Sequence, residues 1–179
     1  MTEFDELCLC AFQEAAGEPD DGVAAVVQVV LNRTRLQYAS DGTIAGTIER
    51  HAQFSWTEYA MENQVYTRVA RTLADEQARI QQLLGVAQAM PNAWGRVQHI
   101  VSAVQAGTYI GPDFHRITTD TVLYLNPRIS THQPWQLEEN FVCTIGHHWF
   151  YRDPPRSGPS TAVVDMTAFA QAATKAALG

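Results

Sequence analysis

Hydrophobic positions keep a helical rhythm through most of the chain and change to a strand rhythm near its end. Over about residues 3–15, Phe4, Leu7, Ala11 and Glu14 recur at steps of three, four and three, so they share one helix face. Gly17 suits the position just past a helix end, and Pro19 blocks continuation. Asp20 or Asp21 then caps a second helix over about 22–36. Its Val23, Val26, Val27, Val30 and Leu31 form a wide apolar stripe, as a core helix requires. A Gly- and Thr-containing loop leads to "AQFSW" (Ala52–Trp56). The pattern predicts helix over about 62–89, with a break near Gly85 and an end before Pro91. A further helix, capped by Asn92, is expected over about 93–106 and closed by Gly107. "TVLYL" (Thr121–Leu125) and "TIGHHWFYR" (Thr144–Arg152) are β-prone runs flanked by Pro, Asn and Gly. "DPPRSGPS" then separates a last Ala-rich helix, about 161–177, whose Val163, Met166, Phe169, Ala170, Ala173 and Ala177 share a face. No internal repeat is present. These elements predict a mainly α (α+β) domain over 1–152 with a small β element, a Pro-rich linker over 153–160 and a C-terminal helix over 161–179.

Composition narrows the class. The 179 residues, 46% of them hydrophobic, suffice for one domain with a sizeable core. The longest apolar stretch, Val23–Leu31, is too short to cross a bilayer and contains Gln28, so no membrane insertion is expected. The first residues, "MTEFDELCLC", are acidic and lack a basic region, which argues against a secretory signal and for synthesis in the cytoplasm. A net charge of −7 with no basic run makes nucleic acid a poor partner. Cys8, Cys10 and Cys143 have no metal-type spacing and read as core or free thiols.

The candidate chemistry sits where the first two helices meet, in "FQEAAGEPDDG" (Phe12–Gly22). Glu14 lies on the apolar stripe, so it points inward, and it occupies the last helical turn, where the dipole disfavours negative charge. Glu18 follows four residues on, with Asp20 and Asp21 beside it. Partial burial, the dipole and like charges all raise a carboxyl pKa. A carboxyl that keeps its proton near neutral pH is what a general acid needs to protonate a glycosidic oxygen. The alternative is that Glu14 and Glu18 only hydrogen-bond the junction backbone.

An ordered set of motifs bears on that choice. "EAAGEP", an apolar helix ending "VVLNR" (Val29–Arg33), "QFSW", "LYLNP" (Leu123–Pro127), the pair Pro134–Trp135 and "IGHHWFYR" (Ile145–Arg152) together resemble the SleB/CwlJ-type cell wall hydrolases. The resemblance runs from about residue 7 to 152. It implies a lysozyme-like, mainly helical fold with a small β part, and peptidoglycan as the substrate. Better-studied members are lytic transglycosylases. The family's acid is the first Glu of its motif, which falls on Glu14. The region between "QFSW" and the helix at 93–106 is longer than usual, and residues 153–179 lie beyond the family domain.

Each remaining motif has a chemical and a structural reading. In "QFSW", Gln53 and Ser55 suit a cleft lining, whereas Phe54 and Trp56 serve equally as sugar platforms or core plugs, with the core favoured for Phe54. In "LYLNP", alternation puts Tyr124 and Asn126 on one face, which the resemblance places at the cleft. His148 matches the family's recurring His, as a structural or a substrate-binding group. The candidate substrate-binding set is thus Glu18, Gln53, Phe54, Ser55, Tyr124, Asn126 and His148. His147 and His148 are adjacent, and adjacent strand residues point to opposite faces, so no metal is expected, and no cofactor.

Glycoside hydrolysis needs two carboxyl groups, whereas lytic transglycosylation can use one. Only Glu14 has a position that the sequence fixes. Glu18, Asp20, Asp21, Asp113 and Asp120 remain as second groups, so a hydrolytic muramidase stays open. Beside these stand a non-catalytic wall-binding or virion tail module, and a metallopeptidase, which the lack of a His/Asp cluster disfavours. The routes to the wall are those of an endolysin, a phage tail lysin or a bacterial enzyme with a trimmed leader. The C-terminal helix either packs back on its own domain or docks on a virion component.

Overall fold

The second helix is the axis of the structure. In the computed structural model, which describes residues 1–51, 53–62, 65–70, 72–130 and 132–153, α2 spans Asp20–Leu36. Val23–Val27, Val29 and Val30 have no exposed surface. Valine costs a helix about half a kcal/mol of propensity. Burying its side chain returns about 1.5 kcal/mol or more, so packing decides the outcome. The first helix, α1 (Glu3–Ala15), buries Leu7 through Ala11 against it. Thr2 starts α1 with a reciprocal capping box to Asp5. Around this pair pack α3 (Ile44–Ile48), α5 (Leu73–Gln88) and α6 (Pro91–Gln105). A one-turn helix, α4 (Ser55–Glu58), holds the "QFSW" motif beside α5. Cys8, Cys10 and Cys143 are buried free thiols.

Two antiparallel sheets complete the fold. β1 (Tyr59–Glu62) and β2 (Val65–Arg68) form a hairpin. β3 (Thr121–Leu125), β4 (Phe141–Ile145) and β5 (His148–Arg152) form a three-stranded sheet in the order β3-β5-β4. β4 and β5 are joined by Gly146 and His147, and Gly146 takes the positive φ, 60°, that a two-residue hairpin loop needs. Asn32 and Arg33, at the end of α2, lock the sheet to the helices. Asn32 Nδ2 donates to the carbonyls of Thr118 (3.0 Å) and Thr121 (2.8 Å), and Arg33 Nε donates to the carbonyl of Val122 (2.6 Å). These bonds set the height of β3 relative to α1, and with it the position of Tyr124.

The expected mainly α, α+β architecture is what the chain adopts, with three local corrections. The helix expected over about 62–89 is a β-hairpin followed by α5, which starts at Leu73 because Thr72 and Asp75 form a capping box. It runs through Gly85 without a break. α6 starts at Pro91, one turn position that needs no N–H, and Asn92 lies inside it rather than capping it. α2 starts at Asp20 with Pro19 at the cap position, so Asp20 and Asp21 are first-turn residues. The linker beyond Asp153 and the helix expected over 161–179 lie outside the described residues.

Candidate functional site

Glu14 ends α1 on its inward face, partly buried, as the stripe of Phe4, Leu7 and Ala11 requires. Tyr124, projecting from the middle of β3, donates its hydroxyl to Glu14 Oε2 at 3.0 Å. Burial pushes the Glu14 carboxyl above its ordinary range. The Tyr124 hydrogen bond, the Arg33 charge and the Trp56 indole pull the other way without cancelling it. Burial and the Glu14 charge push the Tyr124 phenol well above its usual value, so it remains a donor at neutral pH. Arg33 is itself buried, with its guanidinium carbon 5.6 Å from the centre of the Phe54 ring and NH1 3.5 Å from Gln53 Oε1. Phe54, weighed as platform or plug, is a plug, at 2% exposure.

Glu18 has the opposite environment. Burial raises its carboxyl, but the hydrogen bonds and charges of His147 and His148 outweigh that and leave it below its ordinary value. Its Oε2 accepts the His147 backbone N–H (2.8 Å), its Oε1 faces His147 Nδ1 (3.0 Å), and His148 Nδ1 lies 3.9 Å from the same Oε1. Glu18 therefore fastens the β4–β5 turn to the helix junction. Gly146 makes room for it, since a Cβ there would sit 2.0 Å from Glu18 Oε2. The two imidazoles converge on one carboxylate, contrary to the strand-alternation expectation, because His147 is in the turn and not in the strand. Among the described residues there is no group of three or more His, Cys, Asp or Glu side chains suited to a metal ion.

His148 is buried behind Tyr124, edge-on to its ring at 5.3 Å, and burial lowers its imidazole below the usual range. Packed edge-on against Tyr124, the ring holds the phenol against Glu14. Gln53 and Ser55 are partly exposed at the start of α4. Asn126 is partly exposed as well, and its Oδ1 accepts the Arg128 N–H at 3.0 Å, bracing the turn after β3.

A model of the Cell Wall Hydrolase family matches residues 17–151. The chain belongs to the cell wall hydrolase family. Peptidoglycan cleavage is the activity that membership supports. The matched span starts just past Glu14, covers Glu18 and runs through β1–β4 and all of β5 but its last residue. Neither the curated proteins nor the solved structures contain a match.

In this protein the other candidate carboxyls are committed elsewhere. Asp20 takes Arg96, and Asp21 accepts the Tyr109 hydroxyl (2.8 Å) and the Asp113 N–H (2.7 Å). Asp113 pairs with Arg116, and Asp120 with the Thr118 hydroxyl. None of them, nor Glu18, is among the groups that act on Glu14, so the like-charge contribution expected from the sequence is replaced by burial. Arg96, from α6, reaches the carbonyls of Ala16 (3.0 Å) and Glu18 (2.7 Å) as well as Asp20, and so closes the end of α1. Arg33, Arg96 and Asn32 organise the site and were not among the residues singled out from sequence, whereas Trp56, weighed there as platform or plug, is buried and acts on Glu14. For Asn32 and Arg33 the available signal was a polar pair ending the most apolar helix. A groove of about 360 Å³ lined by Leu137, Phe141, Trp149 and Tyr151 lies on the opposite face of the sheet from Tyr124 and shares no residue with the Glu14 cluster.

Proposed function

We propose that this protein cuts the MurNAc–GlcNAc backbone of peptidoglycan as a lytic transglycosylase, with Glu14 as its acid and then its base. The observation that carries the reading is one inward carboxyl whose proton is favoured by burial, while each alternative carboxyl is paired with another group. Glu14 gives its proton to the glycosidic oxygen as the bond from that oxygen to the muramyl anomeric carbon breaks. The resulting carboxylate takes the proton of the muramyl 6-hydroxyl as that oxygen bonds to the anomeric carbon. The product is a 1,6-anhydro end, and no water is consumed. Tyr124 holds Glu14 Oε2 throughout. Gln53, Ser55 and Asn126 offer amide and hydroxyl groups to the glycan, while Glu18, Phe54 and His148 support the walls behind them. Delivery as an endolysin or a virion tail lysin, the latter through the C-terminal segment, belongs to the same reading.

Mass spectrometry of purified sacculi digested in oxygen-18 water tests it. Fragments should carry 1,6-anhydroMurNAc ends without the heavy isotope. Reducing ends that contain it would make the protein a hydrolytic muramidase. Binding to walls without any release of fragments would make it a non-catalytic wall-binding module.

A further inference from the structure

Trp56 carries a buried polar atom that pairs with no other group. Its indole is 8% exposed, and its Nε1 is buried without a hydrogen-bond partner. Buried donors left unpaired are rare and costly. The rest of α4 is well satisfied: Arg79 donates to the carbonyls of Trp56 (2.6 Å) and Tyr59 (2.7 Å), and Thr57 Oγ1 to that of Phe54 (2.9 Å). The unpaired N–H thus lies in a helix turn that is otherwise fixed from several sides. The Trp56 indole also acts on Glu14, favouring its ionised form. It is close to the carboxyl but outside full hydrogen-bond geometry, whereas Tyr124 already occupies Oε2.

We propose that Trp56 is a positioning residue whose indole N–H is held in reserve for the carboxylate that Glu14 becomes when it gives up its proton. This rests on Glu14 being the acid. As the acid, Glu14 enters the reaction with its proton, and burial favours that form. Once the proton has moved to the glycosidic oxygen, the charge left on Glu14 draws in the Trp56 N–H beside the Tyr124 hydroxyl. The two donors then hold the carboxylate in place for the return step, in which it takes the proton of the attacking hydroxyl. The donor costs nothing to orient at that moment because Arg79 and Phe54 have already fixed α4.

The consequence is a signature with two parts of opposite sense. Removing the N–H destabilises the carboxylate, so Glu14 keeps its proton to higher pH and the alkaline limb of the rate profile moves up. The same loss destabilises the charge that develops in the transition state, so the plateau rate falls. Site-specific replacement of Trp56 by benzothienylalanine removes the N–H and keeps the shape. Trp56→Phe is the simpler companion, checked for folding by circular dichroism. The rate of release of soluble fragments from purified walls is followed against pH. We expect the alkaline limb to rise by about one pH unit and the plateau to drop about tenfold, the loss of one hydrogen bond to a charged group. A drop in rate with an unmoved limb would reduce Trp56 to packing and overturn the inference, as would an unchanged profile. Glu14→Gln, run in parallel, separates the two levels. If it is inactive while the Trp56 variant leaves the limb in place, only the role of Trp56 fails. If it stays active, the Glu14 reading fails and this inference with it.

Discussion

Replacing Glu6 by Gln should make the protein more stable at pH 8 and leave it nearly unchanged at pH 5. Glu6 is 4% exposed on the buried side of α1, and its carboxyl is pushed from 4.5 to about 7. Burial is the main cause, followed by the charge of Glu49, with which it shares a hydrogen bond. Between these two values the folded state holds a proton that the unfolded chain has lost. Stability is therefore fully present below about pH 4.5 and declines as pH rises towards 7. A shift of that size corresponds to about 3 kcal/mol at pH 8. Gln is neutral at both pH values and keeps the shape and a donor towards Glu49. Glu14 and Glu76 are also raised by burial and give a decline of the same sign, but they are common to both proteins and cancel in the difference. The assay is urea unfolding followed by circular dichroism at pH 5 and pH 8 for both proteins. The difference in unfolding free energy should open by about 3 kcal/mol in favour of Glu6→Gln at the higher pH. Parallel curves, with the same difference at both pH values, would refute the argument.

Gly146→Ala should destabilise the fold, by about 1–2 kcal/mol for the left-handed backbone alone and by more because the new Cβ meets Glu18 Oε2. Thermal melting of the variant checks this, and a melting temperature equal to that of the parent would count against the role given to the turn. Glu18→Gln should lower stability at neutral pH and leave more wall-lytic activity than Glu14→Gln does. Glu18 is depressed in the folded state, so its contribution is present above the unfolded carboxylate range and is lost as pH falls through its folded value. Melts at pH 3 and pH 7 should accordingly show the parent's advantage only at pH 7.

What the sequence made legible was local and periodic. The 3-4-3 spacing of Phe4, Leu7, Ala11 and Glu14 located α1 and aimed its carboxyl inward, because a helix face follows from spacing alone. The valines of α2 marked the centre of the fold in the same way. The β1–β2 hairpin was missed because residues 59–70 carry Glu, Gln and Arg, which suit a helix, and no Gly-containing turn pair, although Val65, Tyr66 and Thr67 favour a strand. The Thr72–Asp75 capping box was the signal that the helix begins later. Residues that act over long sequence distances were silent. Arg96 meets Ala16, Glu18 and Asp20, and Arg33 meets Val122, yet an isolated Arg in a sequence reads as a solvated charge. The opposite fates of Glu14 and Glu18 were hidden for the same reason. They depend on Tyr124 and His147, residues more than a hundred positions away that the chain brings to one junction.

The central claim, that Glu14 is the proton donor, is tested most directly by measuring the wall-lytic rate of Glu14→Gln on purified sacculi. The variant should fold and, at pH 8, be no less stable than the parent, because it removes a carboxyl that burial disfavours once ionised. Its rate should fall by about 10²–10⁴-fold, the loss typical of a general acid. A folded variant that retains activity within about tenfold of the parent would contradict the account.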